Sequence, residues 1–465
     1  MMKLAVTIAT ASLFLQYHET HAFINHQIRS SSFLDRKSRS KTTLDGSRDI
    51  SNLQEWATEN KVEVSPLASL SQGSGENYGI TLKKSSEKYE MILSVPKDLV
   101  LDSEYIRREW FEHLEPALDL IQNNGLHESA LNFVLMVKVL FEHNLGNESR
   151  WNVWIDSLPR SFDTGVCMDE VEIGCLPPFA LALANFEIQQ LEIFQEAYEL
   201  LKGTPIYVDP VNQERSQWAF NVVMTRCWRY AQEDDDSDMI RPIAVPFGDM
   251  FNHKEPANVA VKDSDSFDSV DFVLAQDIEV PEGEEVGLFL SYGLTNPHRF
   301  LTVFGFCDET MPEVFSQLLF NNPTPELINL GCNDRSKMVY RTVDGGIAIA
   351  VWDCILYTLL AQVPQEQELF YAAHLKGNTE EKLLFHKKYG LEEALTVKNH
   401  VEATANEFKD LVTKIDAMSE EEQASHPRLP MIRRHNRFLF ETFDKVKDRV
   451  KNRIYLEGKR RKELK

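Results

Sequence analysis

The chain reads as an α+β protein: a domain of short β-strands carries a helical insertion, and a mostly α-helical domain follows it. Three observations predict this. Short apolar or alternating runs at Tyr78–Lys83, Glu90–Val95, Ile243–Pro246, Ser269–Leu274 and Glu285–Leu290 have the length and period of strands. Between about Ser103 and Glu214 the period lengthens to that of helices, with Leu131, Val134, Leu135, Val137, Leu140 and Phe141 on one broad apolar face. Beyond Cys307 the strand signal fades after a few short stretches, and amphipathic helical segments take over. At 465 residues the chain is long enough for more than one domain.

Taken in order, residues 1–48 precede the fold. Lys3 leads an apolar stretch from Leu4 to Leu15, the length of a signal-peptide core and too short to span a bilayer. His21-Ala22-Phe23 closes it. Residues 24–48 are rich in Ser, Arg and Lys, with Asp35 and Asp45 as their acids, which is transit-peptide composition. Together these segments resemble the bipartite presequences of algae with complex plastids, so a signal peptide over 1–23, a transit segment over 24–48 and delivery to a plastid are expected. The alternative is secretion or an endomembrane lumen.

Leu53–Lys61 is expected as a short helix, Val62–Leu70 as irregular chain, and Pro96 ends the second strand. Trp151, Trp154 and Leu158-Pro159 are expected in a loop, with the indoles as packing groups. Helices are expected over Pro178–Lys202 and Asn212–Tyr230, followed by an acidic loop at Glu233–Asp238. The break at Asp308–Pro312 marks a boundary between a domain at 49–308 and one at 309–465. In the latter, helices are expected at Trp352–Ala361, Glu366–Lys376, Thr379–His386, Leu395–Ser419 and Met431–Tyr455, punctuated by Pro427 and Pro430.

Composition narrows the function. Hydrophobic residues at 43% and charged residues at 26% are ordinary for a soluble fold. A formal charge of −23 disfavours nucleic acid as a partner of the whole protein. Removing residues 1–48 takes away seven basic and three acidic groups and leaves the rest near −27. Lys445–Lys465 runs the other way, with ten Lys/Arg against three Asp/Glu: either a solvated helix end or a docking surface for an acidic partner. The six cysteines show no C-x-x-C spacing, so neither a zinc site nor a disulfide framework follows. No later segment is long and apolar enough to span a membrane. No nucleic acid, no membrane, no metal and a monomer are the expectations.

The most informative segment is Ile243–His253, IAVPFGDMFNH, followed by the Pro281-Glu282-Gly283-Glu284 turn and then Phe289–Gly293, FLSYG. This arrangement places an amide, an imidazole, a phenol and free backbone carbonyls at strand ends that can share one cleft. Such groups suit the holding of a cationic cofactor and the steering of an amine, and are poor tools for hydrolysis. Asp249 and His253 at i, i+4 are an alternative metal pair, but no third ligand lies at convincing spacing. Taken singly, Tyr292 is a strand-end aromatic, Asn252-His253 a buried pair bracing a loop crossing, and Arg226 a surface arginine on an amphipathic helix.

In combination the pattern resembles the SET-domain protein methyltransferases, in the branch of the Rubisco large-subunit lysine methyltransferases. The lack of a Cys-rich segment after Tyr292 agrees with that branch. The resemblance implies S-adenosylmethionine as cofactor, a protein lysine as acceptor and Tyr292 as the catalytic residue. It implies that Asn252, His253 and Arg226 bind the cofactor, Arg226 through the donor's carboxylate. Gly75–Ile80 takes the place of the family's Gly-x-Gly loop, with Asn77 at the first Gly, so Glu76, Asn77 and Tyr78 are expected to contact the cofactor. Phe304 and Phe306 are expected to line the substrate channel. The helical domain would select the substrate protein, Rubisco or another plastid enzyme by analogy.

Direct methyl transfer needs a neutral amine, and a lysine at pH 7 is neutral in roughly one molecule in 2,500, a cost of about 4.6 kcal/mol. A dry channel lowers that cost by desolvation, and a polar ring at its end orients the amine. Two positions depart from the family. Phe304 stands where a downstream Tyr is usual, and Pro297 occupies an Asn slot, with Asn296 one place early. Losing the phenol opens the way to further methylation, or to a histidine ring as acceptor. A catalytically silent binding module that keeps the scaffold is the reading from another functional class.

Overall fold

The structure is a computed structural model that describes residues 48–73, 77–209, 212–230, 241–264, 268–293, 296–316, 323–332 and 334–463. The predicted presequence and the acidic loop at Glu233–Asp238 lie outside these. The chain divides into two compact units, one formed by residues up to 167 with 184–295, the other by 168–183 with 296–465.

In the first unit the strands are β1 Glu63–Val64, β2 Ala68–Gln72, β3 Tyr78–Leu82, β4 Met91–Pro96, β5 Leu101–Asp102, β6 Trp228–Tyr230, β7 Arg241–Ala244, β8 Asn252–His253, β9 Val259–Asp263, β10 Ser269–Leu274 and β11 Val286–Leu290. They form small sheets in the orders β1-β4-β10-β9, β5-β7-β6 and β2-β3-β11-β8. Every pairing is antiparallel except one: β8 runs parallel to β11, with Asn252 opposite Phe289 and His253 opposite Leu290.

The helices of this unit are α1 Leu53–Glu59, α2 Ser103–Glu109, α3 Phe111–Asn123, α4 Ala130–Leu145, α5 Asn152–Asp156, α6 Pro178–Glu199, which begins in the second unit, and α7 Gln213–Arg226. The α4 run is buried on most of its faces because Phe133, Val134, Met136, Val137 and Leu140 leave it no polar stripe. Edge-to-face contacts join Phe133, Phe194 and Phe220 across α4, α6 and α7, with centroids 5.4 and 5.8 Å apart. Asn212 caps α7 by accepting from the Arg215 amide at 2.9 Å.

Three local readings of the sequence give way to pairing and a fourth to a helical turn. Val62–Leu70, expected as irregular, holds β1 and β2. The latter zips onto β3 from Ala68–Leu82 to Gln72–Tyr78, and a strand with two serines in five residues owes its order to that ladder. β9 was not predicted, and it pairs along the whole of β10. The helix expected to reach Tyr230 ends at Arg226, because Trp228–Tyr230 is taken up by β7. The loop expected around Trp154 is the single helical turn of α5.

The second unit contains a two-stranded sheet, β12 Glu313–Phe315 with β13 Val339–Arg341, and the helices α8 Ile349–Leu359, α9 Pro364–Leu375, α10 Thr379–Asp416 and α11 Leu429–Glu463. Of the short strand-like stretches expected beyond Cys307, the one over Phe315–Phe320 is described only as far as residue 316. The helices α10 and α11, 38 and 35 residues long, pack antiparallel and contribute Val397, Val401, Phe408, Leu439, Phe443 and Val446 to the unit's core. Thr379–His386 and Leu395–Ser419, expected as separate helices, are one. Gly390 between them costs about 1 kcal/mol of helix propensity, but it is buried where α11 passes close, a Cβ there coming 2.9 Å from the Glu457 carboxyl carbon. Pro430 sits in the first turn of α11, where a missing N–H removes no helical bond.

Candidate active site

The segment between β7 and β8 turns on an unusual backbone. Phe247 has φ of 68°, in the left-handed region, and is buried. The tight turn Gly248–Met250 follows, with the Asp249 amide on the Val245 carbonyl at 3.1 Å and the Met250 amide on the Phe247 carbonyl at 3.1 Å. Gly248 is required there: a Cβ would lie 2.4 Å from Phe272 Cζ. A non-glycine residue held at positive φ stores strain that the surrounding packing must overcome. Here Phe251 and Phe272 stack at 5.1 Å beneath the turn.

This turn delivers Asn252 and His253 into β8, beside the end of β11. The Lys254 amide donates to the Leu290 carbonyl at 3.1 Å, and the Tyr292 amide donates to His253 Nδ1 at 3.1 Å. The two rings lie 5.1 Å apart. The Tyr292 phenol donates to the Phe251 carbonyl at 2.9 Å. Burial raises the phenol's pKa, Arg226 opposes that rise and Asp249 adds to it, so Tyr292 keeps its proton. Asn252 Nδ2 donates to the Tyr78 carbonyl at 3.0 Å, which brings β3 to the same place.

Arg226, at the end of α7, donates from Nη1 to the Asp249 carbonyl at 2.9 Å. The Asp249 carboxylate is buried, and Trp154 Nε1 donates to its Oδ1 at 3.1 Å. Burial pushes this carboxyl's pKa up, against Arg226, Trp154 and Arg48, which pull it down. Of the predicted residues, Tyr78, Arg226, Asn252, His253 and Tyr292 therefore meet in one neighbourhood, with Asn77 at the start of β3. Glu76 lies outside the described residues.

Phe304 and Phe306 belong to the second unit. There they form an aromatic cluster with Phe300, at centroid separations of 5.9 and 4.9 Å, on a wide helical turn, Phe300–Phe304, closed by Gly305 at φ 75°. Asn296 caps the preceding turn, accepting from the His298 amide at 3.1 Å.

Sequence reasoning missed three contributors. Trp154, read as packing, is bonded to Asp249. Asn258 clamps one edge of β11, accepting from the Phe289 amide at 2.7 Å and donating to the Gly287 carbonyl at 2.9 Å. Arg48, placed at the end of the presequence, lies with its guanidinium 4.5 Å from the Tyr78 ring centroid. An asparagine shortly after a strand and before another was the available signal for Asn258; nothing local marks the other two.

No family model matches the chain. Among curated proteins it is 25% identical over 273 residues to the actin-histidine N-methyltransferases of Rattus norvegicus and Homo sapiens, a stretch that is 57% of this chain and 43% of each of theirs. It is 23% identical over 281 residues to SET domain-containing protein 4 of Mus musculus, 56% of this chain and 58% of that one. The chain thus spans less than two thirds of the length of these relatives. Among solved structures it matches the SET domain of LSMT bound to lysine and AdoHcy, and Rubisco LSMT bound to AdoMet, each with a TM-score of 0.57. Identities are 13% and 14%, covering 88% of this chain and 92% and 93% of those chains. Short strands in small sheets together with a mostly helical second unit thus give the chain the fold of the Rubisco large-subunit methyltransferase structures it matches.

Proposed function

We propose that the chain is an S-adenosylmethionine-dependent protein methyltransferase whose acceptor is a lysine ε-amine, with Rubisco or another plastid enzyme as its substrate. The observation that carries this reading is the parallel pairing of β8 with β11, which sets Asn252-His253 against Tyr292 and pins the phenol to the Phe251 carbonyl.

The residues present suit the donor. Arg226 offers a guanidinium for a carboxylate. Asn252 presents an exposed carboxamide over Gly79, where a Cβ would come 2.9 Å from Nδ2 and hold a ligand off the backbone. Asp249 Oδ2 is buried and, among the described residues, without a hydrogen-bond partner, a ready acceptor for an ammonium. When bound, the donor supplies an electrophilic methyl on sulfur. The protein's own part is positional: Tyr292, neutral and held by the Phe251 carbonyl, orients the incoming nitrogen.

Histidine is the second reading of the acceptor. It is supported by the sequence similarity to actin-histidine methyltransferases and by Phe304 in place of a phenol. An imidazole, with a reference pKa near 6.5, is already mostly neutral at pH 7, so that acceptor needs no strong desolvation.

Calorimetry with S-adenosylmethionine should give binding; an absence of heat would leave only a silent scaffold. Incubating a plastid lysate with labelled donor should then mark a protein, and mass spectrometry of the acceptor decides between lysine and histidine. We further propose that the presequence expected over residues 1–48 directs the protein to a plastid and ends before Arg48, which packs on Ser157 and Tyr78 of the fold; its fusion to a fluorescent protein reads the address directly.

A further inference from the structure

We propose that Arg48 is a positioning residue of the donor site, acting through Tyr78; this rests on the methyl-transfer reading above. Arg48 joins three segments that are distant in the chain. Its Nε donates to the Ser157 carbonyl at 2.5 Å, its Nη2 lies 3.4 Å from Met250 Sδ, and its guanidinium carbon stands 4.5 Å from the Tyr78 ring centroid. The backbone around it is tied down as well. The Asp49 amide donates to the Asp156 carbonyl at 3.0 Å, and Asp49 Oδ1 accepts from the Ser51 amide at 2.8 Å and from Ser51 Oγ at 2.6 Å.

Each anchor leads into the site. Met250 precedes Phe251, whose carbonyl takes the Tyr292 phenol. Tyr78 carries the carbonyl that fixes Asn252. Ser157 ends α5, the turn that holds Trp154 on Asp249. A guanidinium is suited to this work because it donates in its own plane while stacking on a ring with its face, which an ammonium cannot do. Arg48 therefore holds the Tyr78 ring and, through its carbonyl, the Asn252 carboxamide in one arrangement before the donor arrives. Its contacts with Ser157, Met250 and Tyr78 brace the donor side of the site, so its loss is read first in donor affinity.

The test uses full-length Arg48→Ala, Arg48→Lys, Tyr78→Leu and the Arg48→Ala/Tyr78→Leu pair. S-adenosylmethionine affinity is measured by calorimetry, and turnover at saturating donor on a labelled lysate protein. Arg48→Ala should weaken donor binding about tenfold with saturated turnover within about twofold of wild type. Arg48→Lys should recover part of the affinity, and the double variant should be no weaker than Tyr78→Leu alone. An Arg48→Ala affinity within about twofold of wild type, a fall in saturated turnover, or additive losses in the double variant would overturn the proposal. Hydrogen exchange separates this from the parent reading. If wild type binds no donor, the methyl-transfer reading falls; faster exchange at residues 77–80 in Arg48→Ala would still support the bracing role, and unchanged exchange would end it.

Discussion

At the scale of single residues, the phenol of Tyr292 donates a hydrogen bond to the Phe251 carbonyl. Tyr292→Phe keeps the ring and its contact with His253 but removes that donor and the oxygen. Losing one preorganised polar group at a reacting centre costs about 10²–10³ in rate. The variant should bind S-adenosylmethionine as wild type does while its turnover on a labelled substrate falls by about that factor; wild-type turnover would remove the assignment. Trp154→Phe tests a different bond. It deletes the indole N–H on Asp249 and leaves a buried carboxylate less satisfied, a loss of about 1–3 kcal/mol readable in the urea midpoint. Tyr292, Asn252, His253 and Arg226 were legible because their motifs are local and carry unusual residue combinations. Trp154 and Arg48 were not: they reach the site across long stretches of chain, and an indole or a guanidinium in isolation looks like packing or surface.

Elements were legible where one period dominates. The α4 and α6 runs and the strands β3, β4, β10 and β11 follow from their own apolar spacing, whereas β2, β6 and β9 exist because a neighbour completes their ladders. The break expected between two C-terminal helices failed for a related reason: Gly390 weakens α10 locally, and packing against α11 offsets it. The turn before β8 is the element on which the site depends most. Gly248→Ala would drive a methyl into Phe272, itself stacked on Phe251 next to Asn252. Overpacking of this kind costs about 1–3 kcal/mol. A lowered melting temperature together with weakened donor binding is expected; an unaltered melting temperature would mean that the turn relaxes freely.

At the scale of the whole molecule, charge is distributed unevenly, and the second unit buries a cluster of it. His386 lies between Asp353 at 2.9 Å and Glu393 at 3.0 Å, with Lys382 paired to Asp353, and Arg453 to Glu393 at 2.9 Å. Burial alone would lower the His386 pKa, but hydrogen bonds and attraction from the two carboxylates outweigh it and raise the value to about 8. A folded-state pKa above the unfolded value near 6.5 means that the cluster's contribution is complete below pH 6.5 and is lost as the pH rises through 8. The shift corresponds to about 2 kcal/mol. Wild type should therefore lose stability between pH 6 and pH 9, and His386→Gln should show little of that dependence; equal slopes for the two would refute the pairing. The basic C-terminal stretch, which the composition left open between solvated helix and docking surface, pairs within the unit, Arg453 with Glu393 and Arg461 with Glu392.

The pairing of β8 with β11 also bears on how the protein matures. β9 and β10 lie in the chain between Asn252-His253 and the Phe289-Leu290 they pair with, and β3 supplies the carbonyl that receives the Asn252 carboxamide. Contacts of such sequence separation form late, because loop entropy has to be overcome first. On the proposed function, a chain whose helices have formed before this pairing closes is expected to hold no donor.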